Sequence, residues 1–444
     1  MYYFNIKKRK SQHKREKKET SFSKNLDFSA WIEYNKRMKR TYGVAVVGAG
    51  AAGLVFAAKV AEKINTDVLL LERGDRVGKK LSATGNGQGN ISNERVGQGG
   101  YFSVSCGGEK RAAEIVKKYP KTDFLSFLEN LGALCVTDER GRVYPASRQA
   151  SALTDLLRYR LSEANNVFVE TKTTVQKITY HDGKFELNCA SENGEVNYFA
   201  KRLLLCTGGK AAKNFGTDGS AYALARAFGH TLTDLYPSLV QLKTEREKIK
   251  TLRGVRVSDA RVAAYANGEK IAETVGDLLF TDYGVSGDAI FRLSAFIAEK
   301  IERGNVTLSV DFLPDVSEQR IVQTLTQKRV PSGELLCGIV NNQIGRAVLS
   351  GLKEKTPQAV ASAVKAFALR VTGSLGFDYA QVTKGGVPIS ETDENLQSKK
   401  QKDLYFAGEI LDVDGECGGF NLQFAYSSAS VVAAAILEKE GGRV

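Results

Sequence analysis

One short stretch constrains the fold of this chain more than any other. Residues 42–73 read YGVAVVGAGAAGLVFAAKVAEKINTDVLLLER. The β-branched run Val44–Val47 has the composition of a buried parallel strand. It feeds directly into Gly48-Ala49-Gly50-Ala51-Ala52-Gly53, and alanine-rich helical sequence follows to about Lys63. A second apolar run, Val68–Leu71, ends in Glu72, 19 residues after Gly53. Gly48 permits a tight turn, Gly50 lets the backbone approach a pyrophosphate, and Gly53 lets the helix pack close to the strand. The helix N-terminus offers free N–H groups to phosphates. Glu72 can accept hydrogen bonds from ribose hydroxyls, and it would repel a 2′-phosphate. The order strand, glycine turn, helix, strand, acid predicts an α/β, Rossmann-like dinucleotide site. The structural alternative is a tight βα turn and nothing more.

Three further glycine clusters bear on which dinucleotide. Gly78-Lys79-Lys80-Leu81-Ser82-Ala83-Thr84-Gly85-Asn86-Gly87-Gln88-Gly89-Asn90 mixes glycine with small polar residues, as suits a backbone wrapped round a ligand. A dehydrogenase does not need this second loop, whereas extended FAD reaching toward an isoalloxazine pocket would use it. The alternative is a flexible surface loop. Leu203–Leu205 runs into Cys206-Thr207-Gly208-Gly209. Far along the chain, Leu404–Ala407 is strand-like, Gly408-Glu409 ends it, and Asn421–Ile436 reads as helix after a turn holding Asp412, Asp414, Gly418 and Gly419. A second glycine-rich strand-to-helix turn so distant from the first implies a nucleotide fold split in sequence. That helix N-terminus can face the flavin pyrimidine carbonyls, where negative charge gathers on reduction.

Charge would suggest a nucleic-acid partner, but its distribution argues against one. Of 63 Lys+Arg and 50 Asp+Glu, residues 1–40 hold 13 and 4, leaving 50 and 46 in the rest. Basicity is therefore a tail, which composition describes as a solvated disordered extension. Met38 is the only methionine after Met1, so either could be the biological start. No run approaches the ~20 apolar residues of a membrane span. The cysteines, Cys106, Cys135, Cys189, Cys206, Cys337 and Cys417, form no CxxC and no Cys/His cluster, which fits reduced thiols in a cytoplasm. His13, His181 and His230 share no spacing that could build a metal site or a triad, so no metal is expected.

Taken together, VVGAGAAGL, GKKLSATGNGQGNISN, GRVYPAS, LLLCTGGKAAKNFGTDGSAYALA, DLYPSLVQL, LLFTDYGVSGDAIFRLS and GGVPISETDENLQS…LYFAGEILDVDGECGGFNLQFA resemble the BaiN-like NAD(P)/FAD-dependent oxidoreductases, also called aminoacetone-oxidase-family FAD-binding flavoproteins. The likeness runs from about residue 42 to 436 and leaves out the tail. Beside the basic tail over 1–40 that composition gives, it implies an FAD-binding domain in two parts, 41–210 and 376–444, and between them, over 211–375, an inserted substrate or cap module that is β-barrel-like and helical. Leu252–Ala266 and Lys270–Glu273 look strand-like, and Ala289–Ile301 and Glu318–Thr326 look helical, in keeping with such an insert. By the resemblance, FAD would be held by Gly48, Gly50, Ala52, Gly53, Glu72, Arg73, Lys80, Thr84, Gly85, Asn90, Val175, Thr207, Gly208, Gly408, Glu409, Asp412, Gly418, Gly419, Asn421 and Leu422. Gln88-Gly89 stands where family members often have Arg-Cys, and Asp282 and Asp288 replace a usual His and Pro. FAD binding tolerates these departures; they bear on substrate choice.

The flavin itself supplies hydride chemistry, so the protein need only position, polarise and shield. The resulting expectation is hydride transfer between FAD and a small conjugated, carbonyl or imine substrate. NAD(P)H would dock transiently over the flavin as co-substrate, because a complete second GxGxxG unit is missing. Tyr283 could donate to a carbonyl oxygen, or simply pack. Arg253 and Arg256 could hold a carboxylate, or form a solvated strand face. Cys417 and His230 read more simply as a packing residue and a local cap. The rival functions are an FAD-dependent RNA-modifying enzyme and a non-catalytic flavin redox sensor. The sequence does not set the substrate or the oligomeric state.

Overall fold

The computed structural model describes residues 40–441, so the tail lies outside the described residues. The chain opens with strand β1 (Thr41–Val47), helix α1 (Ala51–Val60) and strand β2 (Val68–Leu71). All of α1 except Ala51 and Lys59 is buried, because small alanines and glycines let it pack on every side. A short hairpin strand β3 (Arg142–Pro145) and helix α2 (Ala150–Glu163) come next. Strand β4 (Val167–Glu170), the meander β5 (Thr174–His181) and β6 (Lys184–Ser191), and the long β7 (Gly194–Leu205) complete the first part. The sheet order is β4-β2-β1-β7-β6-β5. Strands β4, β2, β1 and β7 are parallel, and the apolar runs of the inner strands (Val44–Val47, Val68–Leu71 and Leu203–Leu205) are buried on both faces as parallel strands require, while the edge strand β4 leaves Val169 exposed.

A closed six-stranded barrel follows. Its strands are β8 (Leu242–Thr244), β9 (Arg256–Ala266), β10 (Glu269–Phe280), β11 (Gly284–Ser286), β12 (Val306–Asp311) and β13 (Phe367–Ser374), closing in the order β8-β11-β10-β9-β12-β13. Period-two alternation sends Val306, Leu308 and Val310 of β12 and Phe367, Leu369 and Val371 of β13 into its core. Helix α3 (Asp288–Arg303) covers it, with Ile290, Leu293 and Ile297 in the same core, and the helices Glu318–Gln327, Asn342–Ser350 and Pro357–Lys365 pack alongside. The strand expected from Leu252 begins only at Arg256. Leu252 and Val255 are core anchors of a turn that Gly254 completes at φ +84°. Conversely, the short strand expected over Lys270–Glu273 is the start of the twelve-residue β10.

The chain then returns to the first sheet. Strand β14 (Leu404–Phe406) pairs in parallel with the last three residues of β7, whose first half pairs with β6. Helix α4 (Phe420–Lys439) lies against α1. The Rossmann-like fold is thus divided in sequence with the barrel between its parts. By length and composition α4 could cross a bilayer, at mean hydropathy 1.4, yet 83% of that stretch is buried within the protein.

Candidate cofactor and substrate cavity

A cavity of about 1200 Å³ opens at the C-terminal ends of β1 and β7 and continues to the barrel. This exceeds the ~300–1,000 Å³ of ordinary small-ligand clefts. It is large enough for a dinucleotide together with a second molecule.

The first wall is backbone. Gly48 sits at φ +104°, with its N–H donated to Leu71 O at 2.9 Å. Gly50 caps α1 and faces open space: a side chain there would meet no atom within 4 Å. Gly53 is different. It does not line the cavity, and a methyl group on it would run into the Gly48 carbonyl. Its place is in the helix–strand contact. Gly48, Gly50, Ala52, Glu72, Arg73, Lys80, Thr84, Gly85, Asn90, Val175, Thr207, Gly208, Gly408, Glu409, Gly418, Gly419, Asn421 and Leu422 all line the cavity.

Most charged groups on this wall are already engaged. Glu72 accepts from Ala49 N at 3.1 Å and Gly74 N at 2.7 Å. Arg73 grips Asp218 at 3.1 Å through two nitrogens and donates to Ser220. Burial pushes the Asp218 carboxyl up, but these hydrogen bonds outweigh it and hold it well below the usual carboxylate range. Lys80 meets Glu409 at 2.7 Å, joining loops 329 residues apart, and Glu409 also accepts from Thr383 N. Asn421 clips the Gly415 backbone with both amide atoms at 2.9 Å. Among the described residues, two buried polar atoms on the wall have no partner: Asn90 Oδ1 and Thr207 Oγ1. An unpaired buried polar atom costs about 1–3 kcal/mol, and a polar ligand would relieve both.

Asp412 departs from expectation. It is fully buried and does not line the cavity. Its carboxylate accepts from Val104 N, Ser105 N and the hydroxyls of Ser103 and Ser105 at 2.5–2.9 Å, so it pins the 103–105 loop. Asp414, two residues on, is equally buried, and among the described residues its hydrogen-bond donor is Ser238 alone, at 2.9 Å, with Lys384 Nζ at 3.8 Å. Burial, against the pull of Lys384, pushes its carboxyl up to about 7.

The second wall is made of side chains from two modules. Arg142, Tyr144 and Arg148 come from the β3 hairpin and the turn after it; Arg256, Asp277, Asp288 and Phe291 come from the barrel and α3. Arg256 pairs with Asp277 at 2.6 Å and Arg142 with Asp138 at 2.8 Å. Burial, opposed by Arg142, pushes the Tyr144 phenol up, so it stays protonated at neutral pH. Neither Tyr283 nor Arg253 reaches the cavity. Tyr283 occupies the tight turn between β10 and β11, its carbonyl accepting from Thr244 N, and Arg253 is exposed in the turn before β9. Cys417 lines the cavity, and burial pushes its thiol up to about 12, which leaves it a packing residue. His230 is a buried clip: its ring nitrogens lie 2.6 Å from Glu391 and 2.7 Å from Ser398. Among the described residues no group of His, Cys, Asp and Glu could hold a metal ion.

This divided Rossmann unit, with a glycine-lined cleft running into a barrel, defines a dinucleotide-dependent enzyme of the flavoprotein type. The HI0933-like protein Rossmann domain model matches residues 42–435. The chain therefore belongs to the HI0933-like family, which includes the BaiN-like FAD-dependent oxidoreductases. It is 33% identical over 415 residues to the 3-dehydro-bile acid delta(4,6)-reductase of Clostridium scindens, covering 89% of this chain and 99% of the relative. It is also 28% identical to the ribosomal RNA dihydrouridine synthase of Escherichia coli over 87% of this chain and 96% of the relative. The ribosomal RNA dihydrouridine synthase of Haemophilus influenzae is 25% identical, with coverage of 88% and 97%.

Proposed function

We propose that this protein is an FAD-dependent reductase that saturates a carbon–carbon double bond conjugated to a carbonyl in a small organic molecule, with NAD(P)H as electron donor. FAD would lie along the glycine wall of residues 41–210 and 376–444, and the substrate between that wall and the module of residues 211–375. Bound FAD supplies the hydride. The observation that carries the reading is the cavity itself: one continuous space runs from the α1 N-terminus and the unpaired Asn90 Oδ1 and Thr207 Oγ1 to a wall of arginine and tyrosine side chains.

This chain's residues would do the rest. Gly48, Gly50 and the first turn of α1 present backbone N–H groups to the pyrophosphate. Lys80, held by Glu409, adds a positive charge. The first turn of α4, entered through Gly418 and Gly419, would offer its backbone N–H groups to the flavin pyrimidine edge. Tyr144, whose phenol is protonated at neutral pH, holds the proton that its Oη would donate to the carbonyl oxygen as the double bond accepts hydride. Asp412 orders the loop beside the cleft and has no chemical role.

The relatives' names favour this substrate chemistry. A 3-dehydro-bile acid delta(4,6)-reductase and a dihydrouridine synthase both saturate a double bond beside a carbonyl. A second reading, reduction of a base in RNA, is favoured by the dihydrouridine synthase likeness alone. One experiment separates them. The FAD-loaded protein is mixed anaerobically with NADH and NADPH in turn, then with either an enone steroid or uridine-containing ribosomal RNA. Nicotinamide bleaching of the flavin followed by recovery with the steroid is expected. Failure to take up FAD overturns the reading, and recovery with RNA alone transfers it to the second.

A further inference from the structure

The loop that leaves β7 does not stay at the end of its own strand. In the sheet, β1 stands between β7 and β2. Yet Asp218, in the loop after β7, meets Arg73, just beyond the end of β2. The loop therefore passes over the end of β1, a crossing of about 10 Å for strands ~4.8 Å apart. The end of β1 is the Gly48–Gly50 turn. That turn and the loop, through Ala212 and residues 215–221, line the same cavity. Glu72 lines it too, at the place where a dinucleotide docks its adenosine ribose.

The loop has the build of a strap. Its first foot is fixed: Lys210 N and Ala211 N donate to the buried Thr383 Oγ1 at 2.7 and 2.9 Å, and Ala212 N donates to Phe377 O at 2.9 Å. Its second foot is the helix Tyr222–Arg226, where Tyr222 and Leu224 are buried. Between the feet no residue from 213 to 221 is buried, so no apolar anchor holds the middle. Gly216, at φ +99°, and Gly219, at φ +80°, give the backbone a turn on either side of Asp218. Arg73 holds the tip. Its guanidinium meets both Asp218 oxygens at 3.1 Å and donates to Ser220 Oγ at 3.1 Å. Among the described residues, every other hydrogen bond of residues 213–221 stays within residues 211–224. The charge of Arg73 is thus matched inside the protein, and its fork is turned to the strap.

We propose that residues 212–221 form a strap across the adenosine half of bound FAD, fastened by the Arg73–Asp218 pair, and that Arg73 holds the cofactor only through this loop. FAD enters and leaves when the pair opens, so the pair sets the rate of cofactor exchange in both directions. Arg73 and Asp218 are positioning residues. This inference rests on the reading of the glycine wall as an FAD site.

The test loads the full chain with isotope-labelled FAD and chases it with a large excess of unlabelled FAD. Loss of label gives the release rate, and the change in flavin fluorescence on mixing FAD with the FAD-free chain gives the uptake rate. Asp218→Asn and Arg73→Met are each expected to speed release about tenfold, the lower end for a charge-assisted pair that is one-third exposed. Uptake should quicken as well, because an open strap no longer bars entry. The double variant should release FAD no faster than either single one. Hydrogen exchange of the FAD-free chain should quicken over residues 213–221 in each variant, with the denaturation midpoint unmoved. A wild type that takes up no FAD overturns the cofactor reading and the strap with it. With FAD bound, unchanged release in both variants or slower uptake overturns the strap alone. Faster release confined to Arg73→Met, or effects that multiply in the double variant, would make Arg73 a direct ligand and overturn the fastener.

Discussion

The two walls of the cavity are built on different principles. The glycine wall is backbone: its N–H groups, turns and helix ends are fixed by local sequence, and its charged side chains are spent on one another, as in Arg73–Asp218 and Lys80–Glu409. The opposite wall is side chain, assembled from a hairpin of one module and a barrel of another. A backbone wall recognises what every cofactor molecule has in common. A side-chain wall can be changed one residue at a time, and it is where members of a family would diverge in substrate.

Within the glycine wall, the sharpest test sets two neighbours apart. Gly53→Ala is expected to have the largest effect. The added methyl meets the Gly48 carbonyl, so the FAD-free protein should lose about 3 kcal/mol or more in chemical denaturation. Gly50→Val should leave that denaturation midpoint nearly unchanged, because the side chain enters open space. FAD affinity, followed by flavin fluorescence, should fall about a hundredfold where the side chain displaces the pyrophosphate. If both variants behave alike, the division of labour between packing and cofactor approach is wrong.

Across the cleft, Tyr144→Phe keeps the ring beneath Arg148 and removes only the hydroxyl. Turnover should fall about a hundredfold, with FAD content unchanged. Lys80→Met removes a half-buried pair and should weaken FAD binding about tenfold, measured by equilibrium dialysis.

The last test concerns Asp414. Its folded carboxyl lies near 7, above its ordinary value of 3.8. The folded state then holds a proton that the unfolded state releases, so wild-type stability declines as pH rises from about 4 to 7. Asp414→Asn should flatten that slope, and denaturation at pH 5 and pH 7.5 measures it.

The unequal legibility of the two walls has the same physical origin. The strand–turn–helix of residues 44–60 and the acid at Glu72 are local, so periodicity and glycine spacing reveal them. The return of the chain at β14 and α4 is legible because a second glycine turn repeats the signal. Asp412 lies off the cavity, and its spacing after Gly408 says nothing of the 103–105 loop that consumes its carboxylate. Tyr283 and Arg253 have suitable chemistry, yet one is held in a tight hairpin turn and the other is exposed to solvent. Arg142 and Tyr144 lie in GRVYPAS and Arg148 follows it directly, a motif visible in the sequence, but only the third dimension brings it opposite the barrel. Arg256, weighed beside Arg253, reaches the cavity because it begins β9 while Arg253 precedes it.

The division of the sheet also sets an order in time. Strand β7 must pair β1 on one side and β14 on the other, and β14 leaves the ribosome some two hundred residues after β7. Until then the upper half of that edge stays open, and α1 lacks the helix that covers it. The nascent chain can build its barrel while the nucleotide cleft is still unfinished. Cofactor capture is therefore a late event of synthesis, and a chain interrupted before residue 404 would hold a folded barrel beside a cleft unable to close on its ligand.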